Sequence, residues 1–353
     1  MRVEKHKEIV APFAWKGADL QHRTDWVRQF TAAELQEIDA AVESVKRRGL
    51  GWLDVTRDDF PIPAFSRELA MIAQELETGR GMILLRGLPL SYAPDDLRLA
   101  YWGIGAHLGI AVSQGGRGEL LSNVEDEGQN LGITLRRGAK TASELPFHAD
   151  RCDVVGLLCV RKAKSGGFSR VVSATAIHNE ILRRRPDLLD VFYGTWYHSR
   201  QGEEAPGEQR AYPKPIFGFR DAHFSGIFSP NYIQAAQEFP EVPRFTRAQE
   251  KALELFGVLS EELALEMTFE PGDIQLLNNH LMYHARTEFV DYPEPERKRL
   301  LLRLWLAVPG SRPLPAGYEL VFGTTEAGAI RGGVASREGW RDVTQLRARK
   351  SKN

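Results

Sequence analysis

The sequence predicts an α+β, mainly β protein whose core is a β-sandwich or jelly roll with flanking helices. From residue 110 onward, short apolar runs alternate with Gly-containing and polar turns, which is typical of consecutive strands. Amphipathic segments with helical spacing precede and interrupt these runs. The chain has no internal repeat and no Gly-x-Gly-x-x-Gly motif opening a helix, and this argues against a nucleotide-binding fold.

The first 110 residues are predicted to be mostly helical. Thr31 and Glu34 match a capping box, and the apolar residues that follow them have helical spacing. A glycine pair at 79–81 separates the second helix from a short buried strand. The predicted elements are helices over 31–48, 66–77 and 94–108 and a strand over 82–87. We expect residues 1–80 to form an N-terminal helical segment packed on the core.

Residues 81–322 are expected to form the jelly-roll domain, with inserted loops and helices. The predicted elements are strands over 120–124, 154–160, 170–173, 263–269, 274–278 and 299–308 and helices over 176–185, 186–192 and 246–259. The polar segment 125–140 is typical of a loop that covers a site. The aromatic-rich segment 193–232 is expected to be core, with pocket lining as the alternative. The Gly-rich and then basic residues 323–353 are expected to form a C-terminal extension at the surface.

Composition argues against several classes of protein. The 353 residues carry a net charge of −1, which does not favour general nucleic-acid binding. Cys152 and Cys159 lack Cys-x-x-Cys spacing, so neither a disulfide scaffold nor a cysteine-type zinc site is expected. No apolar run of about 18 residues and no signal peptide is visible. We therefore expect a cytoplasmic protein with a small-molecule partner and with no nucleic-acid or membrane partner; a homo-oligomer is compatible with this composition.

The segment 145–150 carries a candidate metal site. His148 and Asp150 are two residues apart, so on a strand both side chains project from the same face. An imidazole and a carboxylate on one face can hold two adjacent positions of a metal ion. His284 is the best candidate for the third ligand. Two histidines and one carboxylate on one side of an octahedron are typical of non-haem Fe(II) oxygenases.

Two alternatives to this metal site stay open from the sequence. An ordinary hydrogen-bonded pair of His148 and Asp150 would show the same spacing. His280 competes for the role of third ligand, since it lies only four residues before the candidate named above. The His-x-acid pattern also recurs at 6–8, in a charged arm, and at 178–180, in a predicted helix, where residues two apart do not share a face.

A second group of candidate residues lies on the last apolar strand. Arg299 and Arg303 are four residues apart and therefore point to one face of that strand. An inward arginine is costly unless it is paired, and its natural partner is a carboxylate held through two hydrogen bonds. That partner is either an acidic residue of the chain or a carboxylate-bearing cosubstrate inside the barrel.

Several short motifs occur together and in a defined order. They are Leu145-Pro146-Phe147-His148-x-Asp150, Ser165-Gly166-Gly167, Gly272-Asp273-Ile274-Gln275, Asn278-Asn279, His284-x-Arg286, Asp291-Tyr292 and Arg299-x-x-x-Arg303. In this combination the chain resembles the TauD/TfdA family, the Fe(II)- and 2-oxoglutarate-dependent oxygenases related to taurine dioxygenase. The resemblance covers roughly residues 80–310.

The resemblance implies an Fe(II)- and 2-oxoglutarate-dependent dioxygenase with a double-stranded β-helix (jelly-roll) core. It implies that His148, Asp150 and His284 bind the iron. 2-Oxoglutarate and O2 are the implied cosubstrates, and succinate and CO2 are released. The implied reaction is oxidation of an unactivated C–H bond, either a hydroxylation or a desaturation or cyclisation in a biosynthetic pathway. The intact Asp150 argues against a halogenase, in which a small residue replaces this carboxylate.

The resemblance also implies three residues of the cosubstrate site. Arg299 is expected to bind the distal carboxylate of 2-oxoglutarate. Ser169 stands where the family often has a threonine that helps to bind the same carboxylate. Arg303 corresponds to a second arginine, which in the family lies near the substrate and 2-oxoglutarate.

The substrate is expected to be small and either amino-acid-like or anionic. Glu144 stands four residues before His148, where taurine dioxygenase-like members carry a polar amide residue, so taurine itself is not expected. Arg136, Arg210 and Arg220 are candidates for contact with an anionic group, although exposed arginines are usually solvated.

Two other functions are compatible with parts of the sequence. A cupin-like, non-redox metalloenzyme would keep the metal but would need no 2-oxoglutarate, and the inward arginines count against it. A non-catalytic partner or binding member of the same fold predicts a broken triad or no affinity for iron, whereas the triad is intact in this sequence.

Overall fold

The computed structural model describes residues 6–126, 141–204 and 207–350. In these ranges the helices are α1 (Gly17–Leu20), α2 (Ala32–Arg47), α3 (Pro63–Thr78), α4 (Pro94–Leu108), α5 (Ala174–Arg184), α6 (Pro186–Tyr193), α7 (Pro230–Ala236), α8 (Arg247–Leu263), α9 (Glu319–Phe322) and α10 (Val343–Lys350). The strands are β1 (Val27–Gln29), β2 (Met82–Arg86), β3 (Ile110–Ala111), β4 (Leu121–Val124), β5 (Leu145–His148), β6 (Val154–Arg161), β7 (Ser165–Gly166), β8 (Ser169–Ser173), β9 (Trp196–Ser199), β10 (Ala211–Lys214), β11 (Phe217–Arg220), β12 (His223–Gly226), β13 (Leu265–Met267), β14 (Ile274–Asn278), β15 (Met282–Arg286), β16 (Phe289–Val290) and β17 (Leu300–Ala307). None of the described helices combines the length and the apolar character that crossing a bilayer requires.

Most predicted elements are confirmed, and the differences have local causes. The Thr31 hydroxyl accepts a hydrogen bond from Glu34 N, and the Glu34 carboxylate accepts one from Thr31 N, so α2 begins where the capping box predicts. α3 begins earlier than predicted because Pro63 occupies its first turn, where a missing N–H is tolerated. α8 runs past its predicted end because both Leu259 and Leu263 are buried against the core.

The larger sheet has the strand order β1-β2-β14-β6-β17-β3, and β4 also pairs with β17. Side chains alternate along β17, so its two faces have different roles. Leu302, Leu304 and Leu306 pack on the side of α4 and belong to one apolar cluster with residues of α2, α3 and α4. Arg303 and Trp305 point to the opposite side, where they line a cavity. The same strand therefore supports the helical layer and supplies polar groups to the interior.

The smaller sheet has the antiparallel strand order β13-β8-β15-β5. Alternation along β15 puts His284 and Arg286 on one face and Tyr283 on the other. Tyr283 packs against Phe256 of α8, with ring centroids 5.3 Å apart. The face with His284 is turned to β17, because it lines one cavity together with Arg303. The fold is thus a mixed α/β arrangement in which two sheets share one interior and helices pack on both.

Residues 331–336 and 340–343 are mostly buried in the fold, which corrects the expectation that the C-terminal segment is a surface extension. Val334, Trp340 and Val343 are buried among the apolar residues of the core. Arg331 is only 2% exposed, and its Nε lies 2.8 Å from Asp153 Oδ1. A buried guanidinium needs such a carboxylate partner. The division of the chain at residue 323 itself stays a prediction.

A buried histidine beside this ion pair predicts a pH dependence of stability. His280 Nε2 lies 2.7 Å from Asp153 Oδ1, and burial lowers the pKa of His280 to about 4. In the unfolded chain a histidine has a pKa of about 6.5. Between these two pKa values only the unfolded chain binds the proton. The free energy of unfolding therefore falls as the pH drops through this window.

Replacing His280 with glutamine removes this titration. We expect the free energy of unfolding of His280→Gln, measured with urea between about pH 7 and 4.5, to depend less steeply on pH than that of the unaltered protein. Other buried histidines keep a slope of the same sign. His6→Gln is the matched control, because the His6 side chain is 52% exposed. Equal slopes for the two variants would contradict the prediction.

Candidate active site

The two candidate histidine ligands face each other across neighbouring strands. His148 ends β5 and His284 lies in β15, and the two are direct partners in the antiparallel register. Their ring centroids are 4.2 Å apart. His148 Nδ1 lies 2.9 Å from the carbonyl oxygen of Pro146, which leaves Nε2 as the nitrogen that faces Asp150.

Asp150 also lies beside the two histidines, but it is held there by a loop and not by the predicted strand. β5 ends at His148, so Asp150 lies in the following loop and the explanation by a shared strand face is wrong. Asn279 holds this loop, since its Oδ1 accepts a hydrogen bond from Asp150 N at 3.1 Å. Trp305 Nε1 donates to Asp150 Oδ2 at 2.8 Å. Each histidine Nε2 is 3.7 Å from a carboxylate oxygen of Asp150, too far for a hydrogen bond.

These three side chains form a candidate metal centre. One ligand atom from each of His148, Asp150 and His284 lies within 4.8 Å of the other two. Burial lowers the pKa of His148 and lowers that of His284 to about 3, so both imidazoles are neutral and can offer a lone pair. Burial alone would raise the pKa of Asp150, but the charge of Arg303 and the hydrogen bond from Trp305 hold that pKa below its usual value. Two neutral nitrogens and one anionic oxygen suit Fe(II).

The competing histidines of the sequence have other partners. His280 Nε2 is bonded to Asp153, away from the candidate metal centre. His178 lies in α5 among aromatic rings, and His6 forms an ion pair with Asp190. Within the part of the chain that the structure describes, the cluster of two histidines and Asp150 is the only group with the spacing of metal ligands.

A small cavity of about 40 Å³ lies on one side of the candidate metal centre. Arg299 lines it and is 5% exposed, and its Nη1 has no hydrogen-bond partner among the described residues. Burial lowers the pKa of Arg299 to about 10. Asp291 accepts a hydrogen bond from the backbone N of Arg299 rather than from its side chain. A buried guanidinium without a paired acid fits a carboxylate ligand.

The wall of this small cavity includes the serine expected from the sequence. Ser169 Oγ lies 3.2 Å from the side-chain amide of Gln275 and lines the cavity. Gly167 has a φ of 70°, and a Cβ at this position would lie 3.2 Å from Arg299 Nε. Both the backbone conformation and the close approach of the arginine therefore favour glycine at this position.

A larger cavity of about 360 Å³ opens on the other side of the candidate metal centre. His148 and Arg303 line both cavities, so the centre lies between them. Gln114 Oε1 accepts a hydrogen bond from Arg303 Nε at 2.8 Å, and this guanidinium lies 3.6 Å from Asp150. The polar lining is rich in acids and amides: Gln114, Glu119, Asn123, Glu125, Gln201, Glu203 and Asn231.

Several residues considered as substrate contacts lie elsewhere. Arg210 and Arg220 pair with surface glutamates and line neither cavity. Glu144 pairs with an arginine of β8 and is also absent from both linings. Arg136, with the rest of the segment 127–140, lies outside the described residues. Of the arginines expected to meet an anionic substrate, Arg210 and Arg220 are therefore not found in the larger cavity.

Three residues of the site have no sequence pattern that indicates their contacts. Trp305 resembles any other apolar residue of β17, although alternation puts it on the face of Arg303. Gln114 has no local pattern that indicates its contact with that arginine. Asn279 appeared only as part of a motif, and its hydrogen bond to the Asp150 loop requires the folded chain. Tyr232 is the member of the aromatic segment that lines the larger cavity.

Comparison with known proteins agrees with this geometry. The family model described as "Taurine catabolism dioxygenase TauD, TfdA family" matches residues 47–305. FR-33289 synthase from Streptomyces rubellomurinus is 32% identical over 323 residues, which cover 88% of this chain and 93% of the relative. Taurine hydroxylase-like protein SAT17 from Stachybotrys chartarum is 29% identical over 304 residues, covering 82% and 77%.

Solved structures share the fold at low sequence identity. An asparagine oxygenase in complex with Fe(II), 3-hydroxyasparagine and succinate has a TM-score of 0.63 and 17% identity, covering 80% of this chain and 93% of that one. The non-haem iron oxygenase OrfP with Fe and alpha-ketoglutaric acid has a TM-score of 0.60 and 15% identity, covering 79% and 93%. The family match covers most of the sequence, and the chain therefore belongs to the TauD/TfdA family of iron- and 2-oxoglutarate-dependent dioxygenases.

Proposed function

We propose that His148, Asp150 and His284 hold the catalytic Fe(II) of this oxidoreductase, inside a double-stranded β-helix formed by the two sheets. The observation that carries the proposal is the convergence of three ligand atoms within 4.8 Å at the junction of two cavities. A facial set of two histidines and one carboxylate leaves the opposite positions for exchangeable ligands. The two cavities give those ligands separate access to the centre.

The small cavity is proposed as the 2-oxoglutarate site. Arg299 offers its unpartnered Nη1 to the distal carboxylate, and Ser169 lies in the same wall. Arg303 is oriented by Gln114 and contributes positive charge between the metal centre and the substrate cavity. Iron with 2-oxoglutarate and O2 supplies the oxidation of an unactivated C–H bond, with succinate and CO2 as products. The protein orients the reactants and excludes water from them.

The larger cavity is proposed to bind a small, amine-bearing substrate of the amino-acid type. Glu119, Glu125 and Glu203 line it, and buried Glu119 Oε2 has no hydrogen-bond partner among the described residues. Carboxylates favour an ammonium group over a second anion. Solved neighbours of the same fold hold hydroxylated amino acids, hydroxyasparagine in one case and hydroxyarginine in another. The reaction on this substrate is a hydroxylation, or a desaturation or cyclisation that begins with the same C–H oxidation.

The first experiment tests the cofactor site without the substrate. Anaerobic apoprotein is titrated with Fe(II) and then with 2-oxoglutarate while the weak visible charge-transfer band is recorded. A saturable band that is lost in Arg299→Gln supports the proposal. Iron uptake without a band would indicate a different metal chemistry, and no iron uptake by folded protein would favour the non-catalytic alternative.

The acidic lining predicts which compounds stimulate the enzyme. We expect free amino acids or amines to increase succinate formation from 2-oxoglutarate, and their N-acetylated counterparts to have little effect. The reason is that acetylation removes the cation that the glutamates favour. Stimulation by N-acetylated compounds or by simple dianions, with none by free amines, would contradict this substrate class.

Trp305 is predicted to support iron binding from outside the ligand set. Its indole N–H fixes the orientation of the Asp150 carboxylate, so Trp305→Phe should lower iron affinity by about 10- to 100-fold. Anaerobic titration against a competing chelator measures the affinity. Trp340→Phe is the matched control, because Trp340 is also buried but donates to Glu338 and lines neither cavity. Equal iron affinity in the two variants would exclude this role.

The buried cysteines support a reducing compartment. Cys152 and Cys159 are free and buried, as expected of a cytoplasmic protein. The cytoplasmic location and a homo-oligomeric state stay predictions.

A further inference from the structure

A second buried arginine shares the small cavity with Arg299. Arg286 lies two residues after His284 in β15 and therefore on the same inward face. It is 5% exposed and lines the cavity together with Arg299 and Ser169. Its register partner in β8 is Ser169 itself. The position is thus built into the same strands that carry the metal ligand and the expected cosubstrate residue.

The hydrogen bonds of Arg286 leave part of its guanidinium unused. Nη2 donates to the carbonyl oxygen of Thr141 at 2.7 Å and also to that of Ser143. Nε is buried and has no hydrogen-bond partner among the described residues. A structural role alone would account for Nη2 but not for a buried donor left unpaired, since such a group carries a free-energy cost.

The two guanidinium groups also lie beside the same aromatic ring. The Cζ of Arg286 is 4.7 Å from the ring centroid of Phe289, and the Cζ of Arg299 is 5.2 Å from the same centroid. Burial and the nearby Arg299 lower the pKa of Arg286 to about 10. Asp126 raises the pKa of Arg286 electrostatically, and among residues 6–126, 141–204 and 207–350 no ion pair joins either arginine side chain to an acid. Two buried positive charges therefore face one small cavity without a bonded anion.

A carboxylate ligand can supply the negative charge that these two guanidinium groups lack. Its two oxygens can accept about four hydrogen bonds, enough for donors from two guanidinium groups and a hydroxyl. The cavity is small, so it fits the end of a ligand rather than a whole substrate.

We propose that Arg286 is a second binding residue for the distal carboxylate of 2-oxoglutarate, acting with Arg299. This inference rests on the proposed function, because it places 2-oxoglutarate in the small cavity. It explains why both Arg286 Nε and Arg299 Nη1 lack a hydrogen-bond partner among the described residues. It also implies that the site discriminates strongly between dianionic 2-oxo acids and monoanions of the same length.

The test compares two 2-oxo acids that differ only in the distal carboxylate. Anaerobic Fe(II) protein is titrated with 2-oxoglutarate and with 2-oxopentanoate while the visible charge-transfer band is followed. Arg286→Gln should weaken 2-oxoglutarate binding by about tenfold or more, the value of one charge-assisted hydrogen bond. Binding of 2-oxopentanoate should change by less than about twofold. Arg286→Lys keeps the charge and should fall between Arg286→Gln and the unaltered protein.

Controls make the outcomes distinct. Arg210→Gln removes a surface arginine that pairs with Glu241, and it should bind both acids normally. Equal weakening of both acids in Arg286→Gln, or no weakening of either, would overturn the inference and leave Arg286 as a structural residue. If Arg286→Gln does not fold, as judged by circular dichroism, the binding of both acids is measured with Arg286→Lys instead. Equal weakening of both acids, or no weakening of either, would again overturn the inference. If the unaltered protein binds neither acid, the proposed function fails as well.

Discussion

Asp150→Ala is expected to abolish turnover and to lower iron affinity by more than about 100-fold, beyond the range that outer-shell partners of a metal ligand contribute. Asp150 provides the anionic oxygen of the proposed ligand set, and without it only two neutral imidazoles remain. The change also leaves the Trp305 indole without its acceptor and removes the anion that lies 3.6 Å from the Arg303 guanidinium. A positive charge next to the vacated position then opposes binding of a cation.

The measurement is iron content after anaerobic loading and desalting, together with succinate formation from 2-oxoglutarate. Asp190→Ala is the matched control, because Asp190 is 65% exposed and pairs only with His6 in the described structure. It should retain iron and activity. Iron retained by Asp150→Ala at the level of the control would remove Asp150 from the ligand set and reopen the search for an anionic ligand.

Local sequence patterns predict which residue types form the candidate metal centre. They do not predict how the fold brings these residues together. Two-residue spacing drew attention to His148 and Asp150, but β5 ends between them. What brings Asp150 into place is its hydrogen bond to Asn279, more than a hundred residues away. His284 could be selected over His280 only through the family motifs. In the fold the two histidines are easily distinguished, because His280 is hydrogen-bonded to Asp153.

The arginines show what side-chain alternation along a strand can predict and what it cannot. The spacing of Arg299 and Arg303 predicts that both point inward from the last long strand, and both line the small cavity, although β17 begins at Leu300 and contains only Arg303. Arg286 follows the same rule on β15, yet its unpaired donor is visible only when neighbouring strands are present. Arg210 and Arg220 could not be separated from inward arginines by pattern, since their partners lie in distant segments.

The C-terminal segment departs furthest from what its composition predicts. Residues from 323 onward are rich in glycine and then in basic residues, which is typical of a solvated tail. Arg331 is instead buried against Asp153, a residue 178 positions earlier in the chain. Ion pairs of this separation leave no local pattern. The glycines have a structural purpose here, because Gly332 has a φ of 84° and a Cβ there would lie 2.5 Å from the carbonyl oxygen of Arg151.

This ion pair leads to the largest expected effect on stability. Asp153→Ala should reduce the free energy of unfolding by about 3–5 kcal/mol, because it leaves the buried Arg331 guanidinium without its anion. Asp153 also accepts hydrogen bonds from His280 and from Val308 N, which then lose their acceptor. Urea unfolding at neutral pH measures the change. Glu326→Ala breaks a surface pair with Arg220 and should cost less than about 1 kcal/mol.

A double variant distinguishes a lost ion pair from general damage to the core. Arg331→Met in the Asp153→Leu background removes both charges, so its cost should be clearly smaller than the sum of the two single changes. Additive costs would show that the two side chains stabilise the fold independently. Asp153 lies in the same loop as Asp150, and its carbonyl oxygen accepts a hydrogen bond from Asn279 N at 2.9 Å. Loosening this loop is therefore expected to lower iron affinity in Asp153→Ala as well, which would connect the C-terminal segment to the metal centre through Arg331.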